Sequence, residues 1–182
     1  MRQDKIIFQN IYYEQISKDH INKGWLSWMN NPKTTKQINK EGKKFTETDL
    51  ENYLKQKKSI FFLACYSKDG KYFGNLRIHE WTPNIACFGR LIGSEEHRGK
   101  GYGKVLVELA KSLIFENKKY NIIIAGNNKG DLASSKSKLR SSFIKMDQKS
   151  KNALNLEFNN NHEYFVLHRS HYYQNFKSSY KT

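Results

Sequence analysis

The chain is short of acid, cysteine and proline, and it has no long apolar run. Of 182 residues, 17 are Asp or Glu against 32 Lys or Arg, a formal charge of +15 at pH 7. That balance favours anionic partners over cationic ones, while lysines spread over nearly every segment also serve as solvated faces. Two cysteines cannot build a disulfide framework. Cys65 and Cys87 each sit in an apolar, strand-like run, where a free cysteine is a small buried hydrophobe, and neither belongs to a CxxC pair. With two prolines and no Gly, Ser or Pro-rich linker, nothing divides the chain; it reads as one domain over 1–182, with a core at 6–169 and a tail at 171–182. No stretch approaches the roughly 18 apolar residues of a membrane span, and residues 1–13 are too polar and alternating for a signal peptide, so a cytoplasmic protein is expected. The six histidines are dispersed, and His168 and His171 have no cysteine or carboxylate at metal spacing, so no metal is expected.

What is present is a glycine-rich basic turn, Arg98-Gly99-Lys100-Gly101-Tyr102-Gly103, between an apolar strand and an amphipathic helix. Glycine permits a tight turn and removes side chains that would hold a ligand off the backbone amides. The first helical turn leaves about four amides unpaired and carries roughly half a positive charge, which suits phosphate. A Walker loop is excluded, because Gly93 to Gly99 encloses five residues and Gly101 follows Lys100. A dinucleotide fingerprint is excluded too, since Gly99, Gly101 and Gly103 are each spaced by two.

The remaining pattern runs in order. Residues 5–13 read as a first strand, and Asp19 caps a helix carrying Ile21, Trp25, Trp28 and Met29 to a stop at Asn30-Asn31-Pro32. Thr46 and Asp49 form a capping box for a second helix reaching Lys57. Strands at 59–67, 71–81 and 85–93 make a meander joined by turns at 68–70 and 82–84. Tyr102, Val105, Leu106, Leu109, Ala110 and Leu113 form one stripe on the helix after the glycine loop. The apolar strand at 121–125 then returns parallel to the strand ending at Gly93, by a right-handed crossover. Asp131 caps a helix to Ser141, and 143–148 and 164–168 close the sheet, with 149–161 a loop or bulged connection.

The run Arg98-Gly99-Lys100-Gly101-Tyr102-Gly103 resembles the Arg-x-x-Gly-x-Gly pyrophosphate loop of the GNAT superfamily of acetyl-coenzyme A-dependent N-acetyltransferases. Trp25-Leu26-Ser27-Trp28-Met29-Asn30-Asn31-Pro32 is similar to the first-helix signature of the branch holding ribosomal-protein N-terminal acetyltransferases and amino-sugar acetyltransferases. The resemblance covers residues 6–169. It implies a single-domain α/β (α+β) fold: a mixed, mostly antiparallel central sheet flanked by helices, with splayed parallel strands for coenzyme A. It further implies acetyl-CoA as cosubstrate, pantetheine beside the unpaired backbone of Arg90, Leu91, Ile92 and Gly93, pyrophosphate on Arg98, Gly99, Lys100, Gly101, Tyr102 and Gly103, and the acceptor against Trp25, Trp28 and Asn30. In the helix after the crossover, the branch's Asn, Ser and Tyr positions fall on Asp131, Ser134 and Lys138. Asp131 and Ser134 are thus expected at the cofactor, with Asn127 or Asn128 in place of the missing amide. Lys138 stands where a tyrosine commonly protonates the thiolate; a lysine there either gives that proton, pairs with the thiolate, or points to solvent.

Direct acetyl transfer needs an uncharged amine. A lysine-like amine is free about once in 2,500 at pH 7 and an α-amine about one time in ten, so the second type asks less of a general base. Candidate bases are Glu80 first, then His79, Glu95, Glu96, His162 and Glu163. Because the chain is strongly basic, a small anionic acceptor such as a nucleotide-linked amino sugar is expected over a polyamine. N-terminal acetylation of a peptide is the alternative within the enzyme class. A basic nucleic-acid-binding module without catalysis is the alternative outside it, opposed by the core placement of most aromatics. The resemblance also makes two copies pairing through the C-terminal strand or tail a candidate homodimer.

Overall fold

The computed structural model describes residues 5–35, 42–55 and 59–179. Eight strands form one sheet in the order β1-β2-β3-β4-β5-β6-β8-β7. The expected first strand is a hairpin instead: β1 (Ile6–Phe8) pairs antiparallel with β2 (Ile11–Gln15), because Gln9 takes a left-handed φ of 53° and turns the chain back. A π-helical turn (Ile21–Trp25) follows and runs into α1 (Leu26–Asn30), with a kink at Gly24, whose φ is 151°. Asp19 does not cap it; His20 is the N-cap residue, and its ring is tied to Ser17. After α2 (Pro32–Thr35), α3 (Glu47–Leu54) starts on the expected capping box, both of whose reciprocal bonds are made. The expected end of α3 at Lys57 lies outside the described residues.

β3 (Ser59–Ser67), β4 (Tyr72–Thr82) and β5 (Ile85–Ile92) form the antiparallel meander read from the alternation of apolar residues. A 3₁₀ turn (Glu95–His97) leads to α4 (Tyr102–Glu116), which lays Leu106, Leu109, Ala110 and Ile114 on the sheet with Phe73, Leu76, Ile78 and Phe165. A second cluster, on Trp25, Ile21, Leu50 and Phe62, fills the opposite face. β6 (Ile122–Asn128) runs parallel to β5, as expected of a right-handed crossover, and α5 (Leu132–Leu139) is capped by Asp131, which accepts from the Ser134 amide at 3.0 Å.

The C-terminal third differs more. β7 is two residues (Ile144–Lys145), and the expected loop contains α6 (Gln148–Ala153), because Asp147 caps it through the Ser150 amide at 2.7 Å. β8 (His162–His168) inserts between β6 and β7, and the tail continues as α7 (Arg169–Ser179). Among the described residues no helix is long and apolar enough to cross a membrane.

β5 pairs with β6 only at Ile85↔Ile122, Ala86↔Ile123 and Cys87↔Ile124. From Phe88 onward the two strands diverge, while β5 stays paired with β4 as far as Ile92 and β6 stays paired with β8 as far as Asn128. The sheet is therefore open between β5 and β6, and its polar backbone edge needs a partner there.

Candidate acetyl-transfer site

At the open end of the splay lies the glycine loop. Gly99 and Gly101 hold left-handed φ values of 73° and 88°, and a Cβ added to either would meet no atom within 4 Å. The first helical bonds of α4 are those of the Lys104 and Val105 amides to Gly101 O, so the amides before them point out of the helix start. Lys100, Lys104 and Arg140 line a groove of about 960 Å3 beside this turn. The fit to a diphosphate is direct: donors, positive charge and vacant space coincide.

Two expectations for this loop need correction. Arg98 does not face the cradle: it donates to Ile92 O, Gly93 O, Lys33 O and Thr34 Oγ1, tying the loop to β5 and α2, because carbonyls ending β5 and α2 converge on its fork of donors. Gly93 is not an open backbone edge either; its amide donates to Phe73 O at 2.9 Å. The ring of Tyr102 packs 4.5 Å from Phe73 and 5.3 Å from His97, so this residue offers the cradle its backbone. Buried His97, between Ser94 and Ser67, fastens the turn to the β3–β4 hairpin.

Across the splay, Arg90 leaves β5 toward α4, its guanidinium 3.6 Å from where a Cβ of Gly103 would stand. Burial pulls its pKa down to about 10, against the attraction of Asp131. Asp131 is a cap and a counter-charge, with no amide to offer. Lys138 is 2 % exposed; its Nζ donates to Asn127 Oδ1 at 2.6 Å and Ser134 Oγ at 2.8 Å, over the Phe165 ring. Asn127 in turn donates from Nδ2 to Asn128 O and Ser135 Oγ, which fixes its oxygen as the acceptor. Burial, and then the charge of Arg90, lower Lys138 to about 7. Lys138 therefore does not point to solvent, and near neutral pH it is close to half protonated.

On the other face of β4 and β5 is a cavity of about 520 Å3, walled by Trp25, Phe45, Tyr53 and Phe62 and floored by Asn75, Arg77, His79, Gly89 and Leu91. Trp25 is core and wall at once, 3 % exposed and 5.3 Å from Phe62. Trp28 and Asn30, expected at the acceptor, do not line it. Trp28 covers Gly93, where a Cβ would fall 1.9 Å from its ring, and packs at a tilt 4.6 Å from the Tyr72 ring. Asn30 bridges to the Phe45 backbone, accepting at 2.8 Å and donating at 2.9 Å.

Glu80, the first candidate base, is also displaced. Residues 75, 77 and 79 face the cavity, so period-two alternation sends Glu80 to the other face, where it holds Lys119 at 2.5 Å and Tyr120 at 2.7 Å; those bonds lower its pKa. Glu95, Glu96 and Glu163 pair with Lys33, Lys71 and Lys145. Of the candidate bases, His79 lines the cavity. Its Nε2 lies 2.8 Å from Cys87 Sγ, and burial, then Arg77, lower its pKa, which favours the neutral ring. Trp25 was expected at the acceptor, whereas Arg77, Asn75 and the walls Phe45, Tyr53 and Phe62 were missed from sequence, although polar residues alternating with Leu76 and Ile78 were a signal that β4 turns a polar face to something.

A search of curated proteins finds no match to this chain. Among solved structures, the aminoglycoside acetyltransferase AAC(6')-Ib in complex with ribostamycin and coenzyme A superposes with a TM-score of 0.76 at 15% identity, over 95% of this chain and 99% of that one. A GNAT-family acetyltransferase from Bacillus anthracis gives 0.72 at 13% identity over 92% and 99%. Spermidine N-acetyltransferase from Vibrio cholerae, in complex with CoA and spermine, gives 0.70 at 12% identity over 88% and 96%. At such identities these likenesses establish the fold. The model of the acetyltransferase (GNAT) family matches residues 25–134, more than half of the chain and all of the splay, the glycine loop and the start of α5. The chain belongs to the GNAT family of acetyltransferases and is an acetyl-CoA-dependent N-acetyltransferase.

Proposed function

We propose that the chain moves an acetyl group to a small primary amine that carries negative charge, by direct attack and without a covalent enzyme intermediate. A nucleotide-linked amino sugar is one acceptor of that kind. The observation that carries the reading is the position of the cationic, aromatic cavity directly against Gly89, Arg90 and Leu91, on the strand that borders the splay. Acetyl-CoA supplies the thioester whose carbonyl carbon is attacked.

In this reading the amides from Gly99 to Gly103, with Lys100 and Lys104, hold the pyrophosphate, and the open edge of β5 at Leu91 and Ile92 holds pantetheine as a missing strand would be held. Arg90 keeps positive charge in the splay. Lys138, fixed by Asn127 and Ser134, gives its proton to the thiolate as the C–S bond breaks. A group half protonated near pH 7 is matched to that task, since a donor works best when its pKa lies near the working pH.

Isothermal titration with acetyl-CoA tests the reading. Wild type is expected to bind, and Gly101→Glu, which puts a carboxylate into the vacant cradle, is expected to weaken binding at least about tenfold. A folded wild type that binds nucleic acid with steep salt dependence and ignores acetyl-CoA overturns it.

A further inference from the structure

The acceptor cavity has a direction. β4 presents Asn75, Arg77 and His79 to it, about 7 Å apart along the strand. Among the described residues four buried side-chain polar atoms lack any partner, and two of them, Asn75 Nδ2 and His79 Nδ1, belong to this row. Leaving such groups unmet is costly, so two orphans along one cavity wall point to a ligand that meets them. Asn75 is 4 % exposed, and its Oδ1 already accepts from Tyr72 at 2.5 Å, so what remains is a donor that only a ligand oxygen satisfies.

Charge on the walls follows the same axis. Arg77 sits between the two orphans, 4.4 Å over the Tyr53 ring. The lining carboxylate, Asp49, is fully engaged: Oδ2 accepts from the Thr46 amide and hydroxyl, and Oδ1 faces Lys43 Nζ. Among the described residues, the one carboxylate lining this cavity is thus already met by Thr46 and Lys43, which disfavours a polycation. Opposite Arg77 in the register stands Gly89, where a Cβ would meet nothing within 4 Å, which leaves room for a flat body between the aromatic walls and β5.

The two ends are chemically unlike. His79 is paired in register with Cys87, the last residue of β5 joined to β6, so it stands at the closed end of the splay, away from the glycine loop at the open end. Asn75 lies two steps along β4 toward the open end.

We propose that the acceptor lies along β4 as a ring bearing its amine at His79 and an anionic oxygen group across the ring at Arg77, with Asn75 next along. This rests on the acetyl-transfer reading and narrows it. The amine nitrogen bonds the acetyl carbon and the C–S bond breaks; the amine proton passes to His79 Nδ1, whose lone pair is free when Nε2–H donates to Cys87 Sγ, and Lys138 Nζ gives a proton to the departing sulfur.

Three probes share one ring and one benzylic amine: 4-(aminomethyl)benzoate, benzylamine and 1,4-bis(aminomethyl)benzene. With acetyl-CoA and thiol release as the readout, the benzoate is expected to exceed benzylamine at least about tenfold in kcat/KM, with the dication lowest. Arg77→Gln is expected to bring the benzoate-to-benzylamine ratio below about threefold, and Arg77→Lys to keep part of it. Because Arg77 also holds Ser59 at 2.7 Å, a misfolded variant leaves the wild-type ratio as the deciding measurement. Benzylamine within twofold of the benzoate, the dication as best substrate, or acetyl-CoA binding with turnover of none of the three overturns the proposal while acetyl-CoA binding still stands. Absence of acetyl-CoA binding sinks the broader reading instead.

Discussion

Replacing Lys138 with methionine separates the cost of burying a charge from everything else at that position. In the unfolded chain its amine has the ordinary value of 10.5; folded, it falls to about 7. Each decade is worth ~1.4 kcal/mol, so the interval corresponds to about 5 kcal/mol. Below pH 7 both states hold the proton, and the folded protein bears this cost in full. Between 7 and 10.5 the unfolded state holds more protons than the folded one, so stability rises with pH, and above 10.5 the cost is gone. Methionine keeps the length of the side chain, never ionises, and leaves Asn127 Oδ1 and Ser134 Oγ without their donor, a pH-independent loss of roughly 1–3 kcal/mol. The variant is therefore expected to be more stable than wild type at pH 6 by about 2–4 kcal/mol, with the difference shrinking by about 3 kcal/mol on going to pH 9. Urea unfolding of both proteins at each pH measures it, because other titrating groups cancel in the difference. A difference that stays flat across that range would refute the placement of a depressed lysine in the interior.

The same variant should lose kcat by about 10²-fold or more in a thiol-release assay, since its donor to the leaving sulfur is gone, whereas Lys138→Tyr should restore part of the rate and move the alkaline fall of activity from near 7 toward 10. Glu80→Gln should leave kcat within about twofold and the urea midpoint nearly unchanged, because its bond to Lys119 is a surface ion pair on the face away from the cavity. Gly93→Ala should cost more than about 2 kcal/mol by chemical denaturation, since the new Cβ falls inside the Trp28 indole. The double variant with Trp28→Ala should be more stable than the sum of the two single losses predicts.

Much of the fold was legible because it is written in periods. Alternating residues placed the three meander strands, the stripe on α4 gave the helix its buried face, and the crossover rule made β5 and β6 parallel. Capping residues acted locally, so Thr46 with Asp49 and Asp131 with Ser134 behave as read. Where two local signals competed, reading failed: Gln9 turns a run rich in Ile, Phe and Tyr into a hairpin, and Asp147 starts a helix inside a polar stretch taken for a loop.

By itself the sequence determined the family, the glycine cradle and the basic balance of the surface, since a backbone turn that needs Gly99 and Gly101 at positive φ is specified by those residues alone. Tertiary structure decided which side chains act. Arg98 turned inward because the carbonyls that satisfy it come from β5 and α2; Glu80 left the site because a strand gives alternate residues to opposite faces; and Lys138 became a depressed amine because packing buries it, and then because Arg90, distant in sequence, lies near it. Burial and charge proximity are properties of the packed chain, and no spacing of letters carries them.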